Sequence, residues 1–554
     1  MAKTVSIGTQ DFAKIRERDS FYVDKTHFIK EWWESYDDVT LITRPRRFGK
    51  TLNMSMLEYF FSNKYANRGD LFEGLSIWDD EKYRALQGTY PVIFLSFAGI
   101  KYNNYETTRT AMNGIITDAY LRLRSVLPAD KLDEGDKKLL DSINRDMSDE
   151  TASMSLHHLC MILEKLYKKK AIVLIDEYDT PMQEAWVNGY WDEMTAYIRS
   201  LFNSTFKTNP YLERGIMTGI TRVSKESIFS DLNNLKVVTT TSDKYSTVFG
   251  FTEEEVFNAM DSQGMPEDDK EHVKFWYDGF TFGKTTDIYN PWSVTMYLDD
   301  KKLGAHWANT SSNSLVGNLL RTGDAKLKIL FEKLLAGDCI EVAIDEQIIF
   351  NQLEKNKDAV WSLLLASGYL KIEGIIQEIP EDDAIYQMKL TNFEVRKMFE
   401  KMISGWFNAN EYFGDFVSAM LKGDERNMTR YMNKVALNSF SYFDTGKNPS
   451  EEKEPERFYH GFVLGLMVDR AKDYILKSNR ESGYGRYDVV LEPKDASNVA
   501  VIIEFKVLDS FEGEKSLEDT AANALAQIEE KKIRHGSAAA RHPCRADFQI
   551  RFCI

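Results

Sequence analysis

Cysteine is scarce, with four in 554 residues: Cys160, Cys339, Cys544 and Cys553. No two stand as C-x-x-C, so neither a disulfide framework nor a zinc site is indicated. Long apolar runs are missing too. Nothing in the chain approaches the ~18 consecutive apolar residues of a membrane helix. The opening MAKTVSIGTQDF has no apolar signal-peptide centre. Positive charge is in deficit, 70 Lys+Arg against 86 Asp+Glu, for a net −16. No global basic field advertises nucleic acid, and a polyanionic partner has to be argued from local sites. These absences predict a reduced, cytoplasmic chain with no membrane partner. What is present, 43% apolar and 28% charged residues, is the composition of a soluble globular protein. The length suggests about three or four domains.

The strongest local signal runs from Val39 to Tyr59. Val39–Thr43 reads as a short, β-branched buried strand. The loop Arg44-Pro45-Arg46-Arg47-Phe48 follows, then Gly49-Lys50-Thr51 and a helix with Leu52, Met56, Leu57 and Phe60 on one face. Strand, loop, Gly-Lys-Thr and helix are the setting of a phosphate-binding P-loop. Arg46, Arg47, Phe48 and Gly49 would line the phosphates at the helix start, where backbone N–H groups and the dipole favour anions. Lys50 would reach the outer phosphates and Thr51 would ligate Mg²⁺. Arg44 stands where the full motif has its first glycine. Pro45 then fixes the turn, and the arginines are expected to supply charge to the bound phosphate.

A second signal, Ala171 to Glu177, is a continuous apolar strand ending in Asp-Glu, as in a Walker B segment. Asp176 would hold the Mg²⁺ shell beside Thr51, and Glu177 would act as general base. The strand Gly215–Ile220 ends at Thr221-Arg222, where Arg222 and Lys225 are candidates to sense the outer phosphate. Between these signals, residues 103–170 read as helical with a charged loop near 129–151. The aromatic stretches of 251–313 are expected to be packing. Residues 314–400 carry a helix at Asp358–Ser367 followed by a hairpin that includes Ile385–Leu390, a winged-helix-like arrangement. A helical stretch follows over 394–446, and KNPSEEKEPE (447–456) reads as a linker.

A separate chemical signal lies near the end. Asp488 sits in the apolar run of GRYDVVL, and Glu504 and Lys506 sit two apart in VAVIIEFKV, on one strand face. Charges in a buried strand are costly unless paired or bound to metal. In a hairpin, Asp488 would lie beside Glu504 and share Mg²⁺ with it, with Lys506 assisting the nucleophile. Glu456 before the pair and Gln527 after it are placed to reach metal and phosphate. Against a polyanion, residues 451–532 hold 12 Lys+Arg and 18 Asp+Glu, net −6. From about Ile533 the character changes: RHGSAAARHPCRADFQIRFCI shows no strand or helix period and reads as foreign to what precedes it.

The stretches YVDKT, RPRRFGKTLNMSML, IVLIDEYDTP, GITRVSKES, YNPWSV, FYHGFVLGL, GRYDVVL and VIIEFK together resemble one family. It is the bacterial AAA-ATPase-like proteins with a C-terminal PD-(D/E)xK nuclease-like domain. The resemblance makes Arg44 a family trait. It implies an ATPase core using Lys50, Thr51, Asp176 and Glu177, and a nuclease core of Glu456, Asp488, Glu504, Lys506 and Gln527. It also implies that the nuclease domain continues past Lys532, where this chain departs from the family.

The expectation is an α/β chain in six parts. These are a P-loop AAA-ATPase-like domain (1–250), a lid or extension (251–313), a helical or winged-helix-like domain (314–446), a linker (447–456), a PD-(D/E)xK-like domain (457–535) and an atypical tail (536–554). ATP and Mg²⁺ are the expected cofactors, and DNA or RNA the expected polymer. An oligomer or a protein partner stays open. Two functions stay open as well: an ATPase that gates a Mg²⁺-dependent nuclease, and a non-enzymatic nucleotide switch.

Overall fold

The computed structural model describes residues 3–124, 132–222, 228–229, 232–307, 316–317, 319–320, 325–345, 359–377, 384–408, 413–430, 473–478, 489–495, 498–506 and 548–553. The chain divides into two compact units. The first is residues 1–319 with 337–396, and the second is residues 320–336 with 397–554.

The first unit is built on five parallel strands: β1 (Val39–Thr43), β2 (Val92–Ser96), β3 (Ala171–Asp176), β4 (Leu212–Gly219) and β5 (Leu235–Val238). Their spatial order is β2-β3-β4-β1-β5. Every residue of β1 and of β3 is buried. Strands covered on both faces read as unbroken apolar runs for this reason. Each fully buried aliphatic side chain there, such as Ile172 or Leu174 at 0% exposure, is worth about 1.5–3 kcal/mol. Because β4 lies between β1 and β3, the loops leaving all three converge at one carboxyl edge. That edge is where open α/β sheets form their crevices.

The helices Tyr105–Arg124, Asp149–Tyr167 and Trp191–Phe206 pack their apolar faces against this sheet. Between the first two, the charged stretch expected to be loop holds a further helix, Glu134–Ser142. Its start is a capping box: Asp133 accepts from the Asp136 N–H and Asp136 from the Asp133 N–H. That reciprocal pair satisfies N–H groups a helix start would leave open, and offsets the polarity of the sequence.

A small antiparallel sheet follows, made of β6 (Phe251–Thr252), β7 (Phe280–Phe282) and β8 (Thr285–Tyr289). Phe280, Phe282, Tyr289, Tyr277 and Trp307 are buried, so these aromatics are packing. The expected helix and hairpin are present as Ala359–Ala366 leading into β10 (Leu370–Gln377) and β11 (Ile385–Leu390). A third strand, β9 (Ile340–Ala343), pairs with β11.

In the second unit, β12 (Tyr474–Ser478), β13 (Val489–Pro493) and β14 (Val501–Lys506) form an antiparallel run. β15 (Phe548–Cys553) joins β14 in parallel. This strand corrects the reading of the tail as periodless. Phe548-Gln549-Ile550-Arg551-Phe552 alternates apolar and polar residues, the period of a strand with one covered face. No helix among the described residues is long and apolar enough to cross a membrane.

Candidate functional site

The loop between β1 and the Lys50–Phe61 helix is shaped by two left-handed residues, Arg47 (φ 67°) and Gly49 (φ 80°). Only glycine takes that conformation freely, so Arg47 carries local strain. Left-handed residues turn successive N–H groups to one side, making a concavity suited to anions. The Lys50 ammonium is buried and folds back on the loop, donating to the carbonyl oxygens of Arg44 (3.0 Å) and Pro45 (2.9 Å). Burial pulls the Lys50 pKa down, while Glu177, Asp179 and Asp176 pull it up.

Arg44 does not face the loop's concavity, contrary to its expected part in compensating phosphate charge. Its guanidinium is fully buried and donates to the carbonyls of Thr43, Thr239 and Lys244 at 3.0, 2.5 and 3.3 Å. It also sits 4.5 Å over the Phe282 ring. Burial lowers its pKa to about 9, so it stays charged at neutral pH. The residue that replaces a glycine is therefore an anchor of the loop's root. Phe48 is likewise an anchor: its ring packs on Phe280 and Phe282, which leaves its backbone N–H as what it can offer a ligand. Arg46 and Arg47 reach outward. Arg46 donates to Gln183 Oε1 (3.3 Å) and Arg47 stacks 4.4 Å over Trp292.

Across the carboxyl edge, Thr51 Oγ1 donates to Asp176 Oδ2 at 2.9 Å. Thr218 Oγ1, on β4 between them, donates to Asp176 Oδ1 at 2.7 Å. Burial pushes the Asp176 pKa up against these hydrogen bonds. Glu177 follows in a left-handed conformation, φ 52°, held by a 3.2 Å bond from Thr180 Oγ1. Such strain costs roughly 1–3 kcal/mol and turns this carboxylate out of the line of β3. Arg222 follows the buried end of β4 and is half-buried, while Lys225 lies outside the described residues.

One residue of this edge escaped the sequence reading. Asp179 is 1% exposed, and its Oδ2 accepts from Ile220 N (3.0 Å), Thr221 N (2.9 Å), Thr221 Oγ1 (2.9 Å) and Gln183 Nε2 (3.0 Å). It ties the end of β4 to the Thr180–Asn188 helix and, through Gln183, to Arg46. Its signal was the second aspartate of Asp-Glu-Tyr-Asp, which resembles an ordinary helix cap.

Residues 6–229 match the family described as predicted AAA-ATPase, and residues 454–544 match the PD-(D/E)XK nuclease superfamily. The chain joins an AAA-ATPase-like domain to a PD-(D/E)XK superfamily domain. A curated relative, the "Uncharacterized protein in vnfD 5'region" of Azotobacter chroococcum mcd 1, is 26% identical over 396 residues, 71% of this chain and 68% of that protein. The solved Aeropyrum pernix ORC2 protein (ADPNP-ADP complexes) aligns at 8% identity and TM-score 0.22, over 68% of this chain and 92% of that one. A likeness that distant carries no argument.

The PD-(D/E)XK match reaches residue 544, beyond Lys532, where the chain was expected to depart from the family. Within that domain, Glu504 and Lys506 lie on β14, two residues apart and so on one strand face. Asp488 lies outside the described residues, although the next residue, Val489, pairs with Ile503, which precedes Glu504. Glu456, Gln527 and the 447–456 linker are also outside them.

The first unit also holds an acidic cluster that lies beyond the residues matched to the predicted AAA-ATPase family. Glu253, Asp278 and Asp287 bring carboxylate oxygens within 4.8 Å of one another. Burial and the neighbouring Asp287 push the Asp278 pKa up to about 6. Glu253 is bonded to Lys274 (2.5 Å) and the Tyr289 hydroxyl (2.9 Å).

Proposed function

We propose that the AAA-ATPase-like domain binds Mg-ATP at the 44–51 loop and hydrolyses it. We further propose that its nucleotide state controls a Mg²⁺-dependent nuclease in the PD-(D/E)XK domain. The observation that carries the first half is the 2.9 Å bond between Thr51 and Asp176, residues 125 apart, beside the buried Lys50. A hydroxyl and a carboxylate form the hard-oxygen set that Mg²⁺ takes while keeping several waters, so the donors fit that ion. When bound, Mg²⁺ would neutralise charge on the outer phosphates. In this reading Lys50 exchanges the Arg44 and Pro45 carbonyls for phosphate oxygens. Arg46, Arg47 and the N–H groups of Phe48 and Gly49 hold the remaining phosphate charge. Arg222, leaving β4 beside them, contacts the outermost phosphate, and Glu177 orients and deprotonates the attacking water.

In the nuclease half, Glu456, Asp488 and Glu504 would hold Mg²⁺, Lys506 would stabilise the nucleophile, and Gln527 would contact a phosphate of DNA or RNA. The protein would act in the cytoplasm. The net charge of −6 over residues 451–532 favours a second reading, a nucleotide-dependent switch whose nuclease-like domain does not cleave. ATP-analogue binding and turnover with Lys50→Ala and Glu177→Gln test the first half. Plasmid and RNA cleavage with Asp488→Ala tests the second. Binding that survives Lys50→Ala would refute the ATP site. Cleavage that survives Asp488→Ala would refute the metal site.

A further inference from the structure

The loop 44–49 is also held from outside the parallel sheet. The Trp307 indole Nε1 donates to the Arg46 carbonyl oxygen at 2.9 Å, across 261 positions of sequence. Trp307 is itself fixed. Its backbone N–H donates to Glu394 Oε1 (2.6 Å), and Ser293 Oγ donates to Glu394 Oε2 (2.8 Å). All three residues are 3% exposed or less. The indole ring lies 5.6 Å from the Phe280 ring and 5.5 Å from that of Tyr369.

A trans peptide aims its C=O and its N–H in opposite directions, and the described chain has no cis peptide bond. The indole holds the Arg46 carbonyl on its own side of the loop, so the N–H of the same peptide, that of Arg47, points away from the indole. The two preceding carbonyls, of Arg44 and Pro45, instead turn to Lys50. The Arg46 carbonyl thus serves a different donor from the two before it, and Arg47 enters its left-handed conformation directly after the clamped carbonyl.

The geometry points to Trp307 as a positioning residue of the phosphate loop, with Glu394 and Ser293 as its support. It presets the Arg46–Arg47 peptide so that the Arg47 N–H faces a bound phosphate. This rests on reading the loop as an ATP site, but the clamp itself is present without nucleotide and is tested separately.

Trp307→Phe keeps an aromatic ring and deletes the donor. In the full chain without nucleotide, hydrogen exchange of peptides spanning 44–52 is expected to speed up at least fivefold. The Kd for a non-hydrolysable ATP analogue is expected to rise about tenfold, equal to about 1.4 kcal/mol. The KM for ATP should rise in parallel while kcat stays within about twofold, because a preset loop acts on binding. Tyr369→Leu removes a ring from the same cluster and keeps the donor, so it should lower the melting temperature without changing loop exchange. Glu394→Gln should show a weaker form of the Trp307→Phe effect. Unchanged loop exchange in Trp307→Phe overturns the clamp, as does equal acceleration in Tyr369→Leu, which would assign the effect to packing. Faster exchange in a chain whose wild type binds no ATP analogue supports the clamp and refutes the ATP reading alone.

Discussion

Removing the Asp179 carboxylate is expected to loosen the whole carboxyl edge of the sheet. Asp179→Ala would strip the acceptor from four donors, the N–H groups of Ile220 and Thr221, the Thr221 hydroxyl and the Gln183 amide. A buried donor left unsatisfied costs about 1–3 kcal/mol. Gln183 and Thr221 Oγ1 can rotate to other partners, whereas the two backbone N–H groups cannot. Against this stands relief from holding a buried carboxylate, whose pKa burial raises. The net loss is about 3–5 kcal/mol, within the range for broken buried networks. For a unit this large, an unfolding entropy of about 2.1 cal/mol/K per residue means that about 1 kcal/mol moves the melting temperature by little more than about 1 °C, so the first calorimetric transition should fall by roughly 4–6 °C. Asp179→Asn retains an acceptor oxygen of the same shape and should lose less than half as much. An alanine variant melting within about 2 °C of wild type would show that Asp179 does not hold the end of β4.

Other substitutions test neighbouring points. At Gly219 an added Cβ would lie 2.7 Å from Tyr178 and 2.8 Å from Asp179 Oδ1, so Gly219→Ala should cost about 1–3 kcal/mol by overpacking; unfolding at wild-type denaturant would contradict this. Glu177→Gly relieves the φ 52° conformation, so it should melt no lower than wild type while abolishing the ATP turnover proposed for this site. Asp278 has its folded pKa raised from 3.8 to about 6. The unfolded chain thus gives up its proton first, and stability falls as pH rises from about 4 to 6, then levels. Asp278→Asn should therefore be more stable than wild type at pH 7, by about 1–2 kcal/mol after allowing for partial exposure. The gap should close near pH 4, and a pH-independent gap would contradict the assignment.

Most of the parallel sheet was legible in the sequence because β1 and β3 are short apolar runs closed by diagnostic polar residues. Lys50, Thr51 and Asp176 stood out for the same reason, as the residue types a P-loop pattern carries at those spacings, and the fold brings Thr51 and Asp176 to hydrogen-bond distance. Asp179 was not, because nothing local separates a cap-like aspartate from one that accepts two N–H groups 41 and 42 residues away. The strand at 548–553 was overlooked because the arginines and cysteines around it outweighed its alternation of apolar and polar residues.

Read alone, the chain determined which segments are strands buried on both faces and which residue types can meet a phosphate. Those properties are local, set by period and by side-chain chemistry. Tertiary structure decided direction. Arg44 turns into the core, where carbonyls at 239 and 244 receive it, and Arg46 has its carbonyl taken by an indole at 307. A hydrogen bond needs its partner within about 3 Å, and only the folded chain brings residues so far apart in sequence to that distance.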